Sequence, residues 1–335
     1  MILAGDIGGT KTLLSLYRAT GQGLETIRSR QFASCDQSDL GAIIDGFLQP
    51  GDSVEAAGFG VAGPVVDGVC RTTNLPWVID QATLSRQLGG VPVALLNDLQ
   101  AAALGMTRLP ASDLVDLNPG AQARTGNVAV IAAGTGLGEA ILCRDGHRQH
   151  AMATEGGHCD FAPNSPLEDD LLGFLRHRFS GHVSYERILS GDGFRHLYDF
   201  LRESGQGIER EPVRRALQTE RDPNAVITRF GVPGDDPLCH SAVQLFARIY
   251  GAEAGNLALK CLSVGGVYVG GAIAGHILPV LRSGAFMSGF TDKGRFSALL
   301  SAMPVQVATN PLVPLLGAAW AARALKDDLS EEQTA

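Results

Sequence analysis

Asp6-Ile7-Gly8-Gly9-Thr10-Lys11-Thr12 brings an acid, two adjacent glycines, two hydroxyls and a cation into one short segment. A phosphate-binding turn needs exposed backbone N–H groups with no side chain in the way, and Gly8 and Gly9 meet that need. Thr10 adds a hydroxyl donor and Lys11 a positive charge. Asp6 would repel phosphate unless a Mg²⁺ ion lay between them, typically held through water. The chemistry expected here is that of a magnesium nucleotide. The competing reading is a plain hairpin turn, where Asp-Gly and Gly-Gly pairs are common.

Gly134-Thr135-Gly136-Leu137-Gly138 offers the same donors without an acid. A dinucleotide site would need strand, glycine loop and then a helix N-terminus. β-rich residues follow this loop instead, so that reading loses. Nothing in the chain matches the GxxxxGK[ST] phosphate loop.

Asp98 is the candidate general base. A sugar hydroxyl is a poor nucleophile, and a carboxylate in hydrogen-bond reach can take its proton as the bond to phosphorus forms. The alternative is that Asn97 or Asp98 merely caps the helix that follows. Glu155, in Glu155-Gly156-Gly157-His158, together with His158 and Glu186, are the remaining polar candidates. Carboxylates and an imidazole suit the vicinal hydroxyls of a sugar, although lone residues of these types are more often solvated loop residues.

These residues need elements to hold them. Ile2 to Arg18 reads as strand, Gly/Thr-rich turn and strand, and Asn127 to Arg144 repeats that pattern. The repeat predicts two related lobes, each offering one phosphate loop to a shared cleft. Val91 to Leu96 reads as a buried strand ending at Asn97-Asp98, with helix-forming residues from Leu99 to Met106. Asp98 then stands at a strand-to-helix junction, where ligands of open α/β sheets gather. Asp169–Phe179 and Ala242–Leu262 have helical periodicity, and Ser204–Pro237 reads as short helices mixed with loops. Leu262–Val269 reads as a strand leading into Gly270-Gly271-Ala272-Ile273. A helix over Pro314–Leu325 and a frayed tail over Lys326–Ala335 complete the chain. The expected small lobe is 1–109 plus 312–335, and the large lobe is 110–311.

Composition limits the rest. Net charge is 27 − 35 = −8, which disfavours polynucleotides and anionic membranes while leaving a nucleotide acceptable. The start lacks a basic signal-peptide region, and Ser263–Leu281 is too broken to span a membrane. Six scattered cysteines with no CxxC pair predict neither a disulfide framework nor a zinc site. A cytoplasmic protein is the expectation.

Over nearly its whole length the chain resembles the glucokinase family of bacterial type, within the hexokinase–actin–heat-shock ATPase superfamily. The resemblance rests on Gly5-Asp6-Ile7-Gly8-Gly9-Thr10, Thr73-Asn74-Leu75-Pro76-Trp77, Leu96-Asn97-Asp98, Gly134-Thr135-Gly136-Leu137-Gly138, Glu155-Gly156-Gly157-His158 and Tyr185-Glu186-Arg187-Ile188-Leu189-Ser190-Gly191. It implies an α/β, two-lobed actin-like ATPase (ribonuclease H-like) fold with a deep interlobe cleft. It also implies transfer of phosphate from ATP, with Mg²⁺, to the 6-hydroxyl of glucose. Gly5 to Lys11 and Gly134 to Gly136 would hold the phosphates, with Gly270 and Gly271 near the adenosine. Asn97, Asp98, Glu155, His158 and Glu186 would line the glucose site, with Asp98 as base, and the protein would be a homodimer. The related repressor–kinase family has a cysteine-rich zinc motif after its Glu-x-Gly-His segment. Here only Cys159 follows His158, so no zinc is expected. Lys11 stands where many relatives have Asn, which leaves the donor pattern intact. The rival activities are kinase action on another hexose or an amino sugar, non-catalytic sugar sensing, and nucleoside-phosphate hydrolysis. Sensors of this superfamily usually carry an N-terminal helix-turn-helix, for which a first strand at Ile2 leaves no room.

Overall fold

The computed structural model describes residues 1–21, 23–72, 74–146 and 148–332. Thr73 of the Thr73–Trp77 motif and the last three residues of the expected tail lie outside them. The chain divides into two compact units. The first holds Met1–Pro110, Ala151–Ala153 and Asn310–Ala335, and the second Ala111–His150 and Thr154–Thr309.

In the first unit β1 (Ile2–Ile7), β2 (Lys11–Thr20), β3 (Gly23–Ala33) and β4 (Ala56–Val61) lead to short strands β5 (Val65–Val66), β6 (Val69–Arg71) and β7 (Val78–Asp80), then β8 (Val93–Asn97). Helices α1 (Leu40–Phe47), α2 (Gln81–Gln87) and α3 (Asp98–Met106) lie between and after them. The main sheet has the order β3-β2-β1-β4-β8. β1 runs antiparallel to β2 and parallel to β4, and β4 parallel to β8.

A strand covered on both faces must be largely apolar, and β4 is so throughout and β1 apart from Asp6. Their alternation still sorts the side chains. Leu3 and Ile7 join a core with Leu40, Ile43 and Phe47 of α1. Ile2 and Ala4 pack with Leu315, Ala318, Ala319 and Ala322 of the C-terminal helix Val313–Glu332. That helix sits very close. A Cβ on Gly58 would collide with the Ala318 carbonyl, on Gly105 with the Val313 carbonyl and on Gly317 with the Ala101 carbonyl. Alanine ordinarily outranks glycine inside a helix by ~1 kcal/mol. Gly105→Ala should nonetheless destabilise the protein by about 1–3 kcal/mol, because the added methyl overpacks a backbone contact. Urea denaturation checks this.

The register has a functional consequence. Ile7 lies beside Val61, and Val61 beside Asn97. The turn after β1 and the helix start after β8 therefore leave the same edge of the sheet.

The six-stranded sheet is made of β9 (Leu114–Asp116), β10 (Val128–Ala133), β11 (Leu137–Asp145), β12 (Arg148–Ala153), β13 (Val267–Gly270) and β14 (Val305–Ala308), in the order β12-β11-β10-β13-β14-β9, all in the second unit except the last three residues of β12. Helices α4 (Pro166–Phe179), α5 (Gly191–Glu203), α6 (Glu211–Thr219), α7 (Pro223–Gly231), α8 (Pro237–Cys261) and α9 (Gly271–His276) follow in sequence. β10 pairs antiparallel with β11 and parallel with β13, with Ala132 beside Gly270. The hairpin of the first unit thus recurs, and again two glycine turns leave one sheet edge. α8 forms the centre of this core, where Phe246 stacks on Phe194 at 4.3 Å and meets Tyr250 edge-on at 5.9 Å.

Two expectations need correction. Leu262–Val269 is not one strand: Leu262 ends α8 in the left-handed region, and β13 starts only at Val267. The run is apolar enough for a strand, but a long helix must first turn back into the sheet, and Leu262–Gly266 makes that turn. Nor is the tail frayed from Lys326. The last helix continues to Glu332, supported by Lys326 Nζ on Glu55 Oε2 at 2.9 Å and by Arg323 with Asp327 at 3.6 Å.

Candidate active site

In the first unit the Gly8-Gly9 turn is pinned from inside. Gly8 N donates to the Lys11 carbonyl at 2.9 Å. The Ser34 hydroxyl donates to the Gly8 carbonyl and meets the Thr12 hydroxyl, each at 2.9 Å. Thr12 and Ser34 are buried, whereas Thr10 and Lys11 are exposed. Asn74 lies over Gly9, where an added Cβ would come within 2.7 Å of its own Cβ. Gly5 has a different reason to be glycine: a Cβ there would press on Phe59 at 2.7 Å. Ile7 is core.

Asp6 sits at the end of β1, its pKa pushed up to about 6, first by burial and then by the charge of Asp98. Two carboxylates that sense each other, at the edge beside a turn rich in donors, form a place where a hard cation is favourable. Asp6 thus fits the Mg²⁺ expected at this end of the unit. The capping question is also resolved. Asn97 is the N-cap of α3: its Oδ1 accepts from Leu99 N at 2.8 Å and Gln100 N at 3.3 Å, while Gln100 Oε1 accepts from Asn97 N at 3.1 Å. Asp98 follows as the first helical residue, exposed, with Oδ1 accepting from Leu99 N at 2.8 Å.

The second unit supplies the other candidates. Gly134 N donates to the Gly136 carbonyl at 2.8 Å, closing a tight turn, and Gly191 N at the start of α5 donates to the Gly134 carbonyl at 2.9 Å. Glu186 stands against this turn. Its Oε2 accepts from Leu137 N at 3.0 Å and occupies the space over Gly136 where no Cβ could stand. Its Oε1 is 4.0 Å from His158 Nδ1. The structure therefore brings together Glu186, His158 and the second glycine turn, a juxtaposition their sequence separation hid. Glu155 and His158, both exposed, flank a single turn closed by His158 N on the Glu155 carbonyl at 3.0 Å. Gly157 in that turn presses on the Leu137 carbonyl, where a Cβ would collide.

Gly271 has φ +82° and lies against the Ala133 backbone, so both its conformation and its surroundings demand glycine. Tyr250 ties the two strand ends together: its hydroxyl accepts from Ala133 N at 3.1 Å and lies 3.2 Å from the carbonyls of Ile131 and Gly270. Next to these turns is a cavity of about 570 Å³ whose lining includes Phe194, Asn224, Thr228, Arg229, Ile273 and His276. Sequence reasoning missed Tyr250, Ser34 and this cavity. A lone tyrosine in a helix and a polar stretch of short helices carry no local signal of a site. Among the described residues no three His, Cys, Asp or Glu side chains group as metal ligands, and no helix is long and apolar enough to cross a membrane. All six cysteines are free thiols.

A family model described as Glucokinase matches residues 3–325 of the chain. A glucokinase of a Synechocystis species is 40% identical over 341 residues, covering 95% of this chain and 96% of that protein. The crystal structure of a glucokinase from an Antarctic psychrotroph superposes with a TM-score of 0.86 at 29% identity, covering 96% of this chain and 98% of that one. A Streptomyces griseus glucokinase of the ROK family, solved with glucose and AMPPNP, is alike in fold, with a TM-score of 0.61 at 23% identity over 96% of this chain and 99% of that one. The α/β fold of actin-like ATPases is thus the fold of this chain.

Proposed function

The chain belongs to the glucokinase family, and from that premise we propose that it transfers the γ-phosphoryl group of ATP to the 6-hydroxyl of D-glucose, giving glucose 6-phosphate and ADP. The observation that carries the mechanism is Asp98, exposed at the start of α3 and aligned by register with the end of β1 and its glycine turn. Asp98 accepts the proton of the 6-hydroxyl as the oxygen attacks phosphorus, a role worth about 10²–10⁴-fold in rate. Phosphoryl transfer needs little else than position and charge. Backbone N–H groups of Gly9, Thr135 and Gly136, with the Thr10 hydroxyl, cradle the phosphates, while the N–H groups of Gly8 and Gly134 close the two turns that present them, and Lys11 adds charge at the rim. Asp6 would hold Mg²⁺, which would supply positive charge to the phosphates. Gly270, Gly271 and the neighbouring cavity receive the nucleoside, with the purine reached from Ile273 and His276.

Asn97, Glu155, His158 and Glu186 hold the sugar hydroxyls. Glu186→Gln should raise KM for glucose by about 10- to 100-fold, the worth of one charge-assisted hydrogen bond. Initial-rate kinetics at saturating ATP measures it. A homodimer in the cytoplasm belongs to the same reading and rests on the family likeness. Sedimentation of the purified chain as a monomer would refute the dimer.

A site that pairs each hydroxyl rejects a sugar lacking one by about 10⁴–10⁵. The test is a panel of glucose, mannose and glucosamine with ATP and Mg²⁺, each scored by kcat/KM. Glucose should lead. Preference for another sugar would keep the kinase and discard glucose as its substrate.

A further inference from the structure

Beneath the turn that carries Glu155 and His158 lies a pair of buried carboxyls. Glu139 on β11 is 1% exposed and Glu253 in the middle of α8 is 0% exposed; Glu253 lies close enough to act on the Glu139 carboxyl, and Oε1 of each has no other hydrogen-bond partner among the described residues. Two buried carboxyls in contact do not ionise together. Burial first and Glu253 second push Glu139 up to about 8, against the opposing pull of Lys260. Glu139 therefore holds its proton at neutral pH.

Its surroundings form one network. Lys260 Nζ is 3.6 Å from Glu253 Oε1. Asn256 Nδ2 donates to Glu253 Oε2 at 2.8 Å and to the Tyr185 hydroxyl at 3.1 Å, and Lys293 Nζ donates to Asn256 Oδ1 at 2.7 Å. Burial raises Tyr185 and lowers Lys293, which also senses Glu253, Asp292 and Glu168. Tyr250 feels the charge of Glu139 from α8.

The network touches both segments that bear the sugar-site candidates of this unit. Gly156 lies directly on the Glu139 carboxyl, where a Cβ would collide with Oε2. Thr154 Oγ1 donates to the Glu139 carbonyl at 2.9 Å and accepts from Gly156 N at 3.1 Å. Tyr185, the residue before Glu186, reaches the pair through Asn256.

We propose that the Glu139–Glu253 pair is a positioning device that seats the Glu155–His158 turn and the Tyr185–Glu186 turn on one buried hydrogen-bond network and thereby sets glucose affinity. This rests on the reading of Glu155, His158 and Glu186 as sugar contacts. Loss of the Glu139 proton places a negative charge directly under Gly156 and against Glu253, and the repulsion displaces the turn. Glucose affinity therefore falls as pH rises.

With the purified full chain, KM for glucose is expected to rise about tenfold between about pH 7 and pH 9, while KM for ATP changes less than about twofold. Glu139→Gln keeps a donor for Glu253 and has no proton to lose, so its KM for glucose stays flat over that range. Glu139→Ala raises KM for glucose about tenfold at neutral pH with kcat within about threefold. A Glu139→Gln enzyme whose KM climbs with pH like the wild type overturns the proposal, as does a folded Glu139→Ala enzyme with unchanged KM. Should the alanine variant fail to fold, the comparison of the glutamine variant with wild type decides alone. A wild type that neither binds nor phosphorylates glucose brings down this role and the kinase reading together. Normal wild-type turnover with both variants matching it brings down the positioning role alone.

Discussion

Asp98→Asn is expected to lower kcat by about 10²–10⁴-fold while glucose still binds within about fivefold of wild type. The amide keeps the size of the side chain and can still accept from Leu99 N, as the carboxylate does at 2.8 Å. It cannot take a proton. The cap of α3 belongs to Asn97, whose hydrogen bonds to Leu99 N and Gln100 N do not involve the Asp98 side chain. The helix therefore survives the change, and a loss of rate cannot be assigned to a lost cap. Titration calorimetry with glucose, set beside the rate, separates the two. A variant with wild-type kcat would remove Asp98 from the chemistry.

The second large effect has opposite signs in two measurements. Asp6→Asn should cut turnover by about 10²-fold or more and yet stabilise the fold. Asp6 is raised to about 6 by burial and by Asp98. Between its ordinary carboxylate value and about pH 6, the folded protein holds a proton that the unfolded chain releases. Stability thus falls as pH rises through that window and stays lower above it. Asparagine bears no such cost. At about pH 8, without nucleotide or divalent ion, the variant should gain about 1–3 kcal/mol. The gain should vanish by about pH 3, below both values. Denaturation at the two pH values checks the sign. A variant less stable than wild type at pH 8 would show that Asp6 is a structural partner and not a functional acid held at a cost.

The parts of the site that local chemistry dictates were readable in the sequence. Gly8-Gly9 and Gly134–Gly136 announce turns because few other residues leave backbone donors open. Asp98 is marked by its place where an apolar run gives way to helix formers. The two hairpins repeat because each lobe builds the same strand, turn and strand. What was hidden depends on partners far along the chain. Glu139 and Glu253 are 114 residues apart (253 − 139) and meet only when β11 packs on α8. An acid within a strand of buried residues, and another among alanines and glycines of a long helix, were the signals available. Gly58, Gly105 and Gly317 carry no local signal in the sequence, yet they are where the last helix nearly touches the backbones of β4 and α3. Leu262–Gly266 shows the reverse error, since apolar content fitted a strand while the end of α8 required a turn.

The most direct measurement follows the phosphorus. ATP, Mg²⁺, glucose and the purified chain are incubated together, and the products are read by phosphorus and proton NMR. Formation of ADP in step with a phosphate ester coupled to the protons on carbon 6 of glucose, and no ADP without sugar, is the predicted result. ADP released equally without sugar would mark a hydrolase. Glucose bound with no ADP formed would mark a sensor, and either result would contradict the kinase assignment.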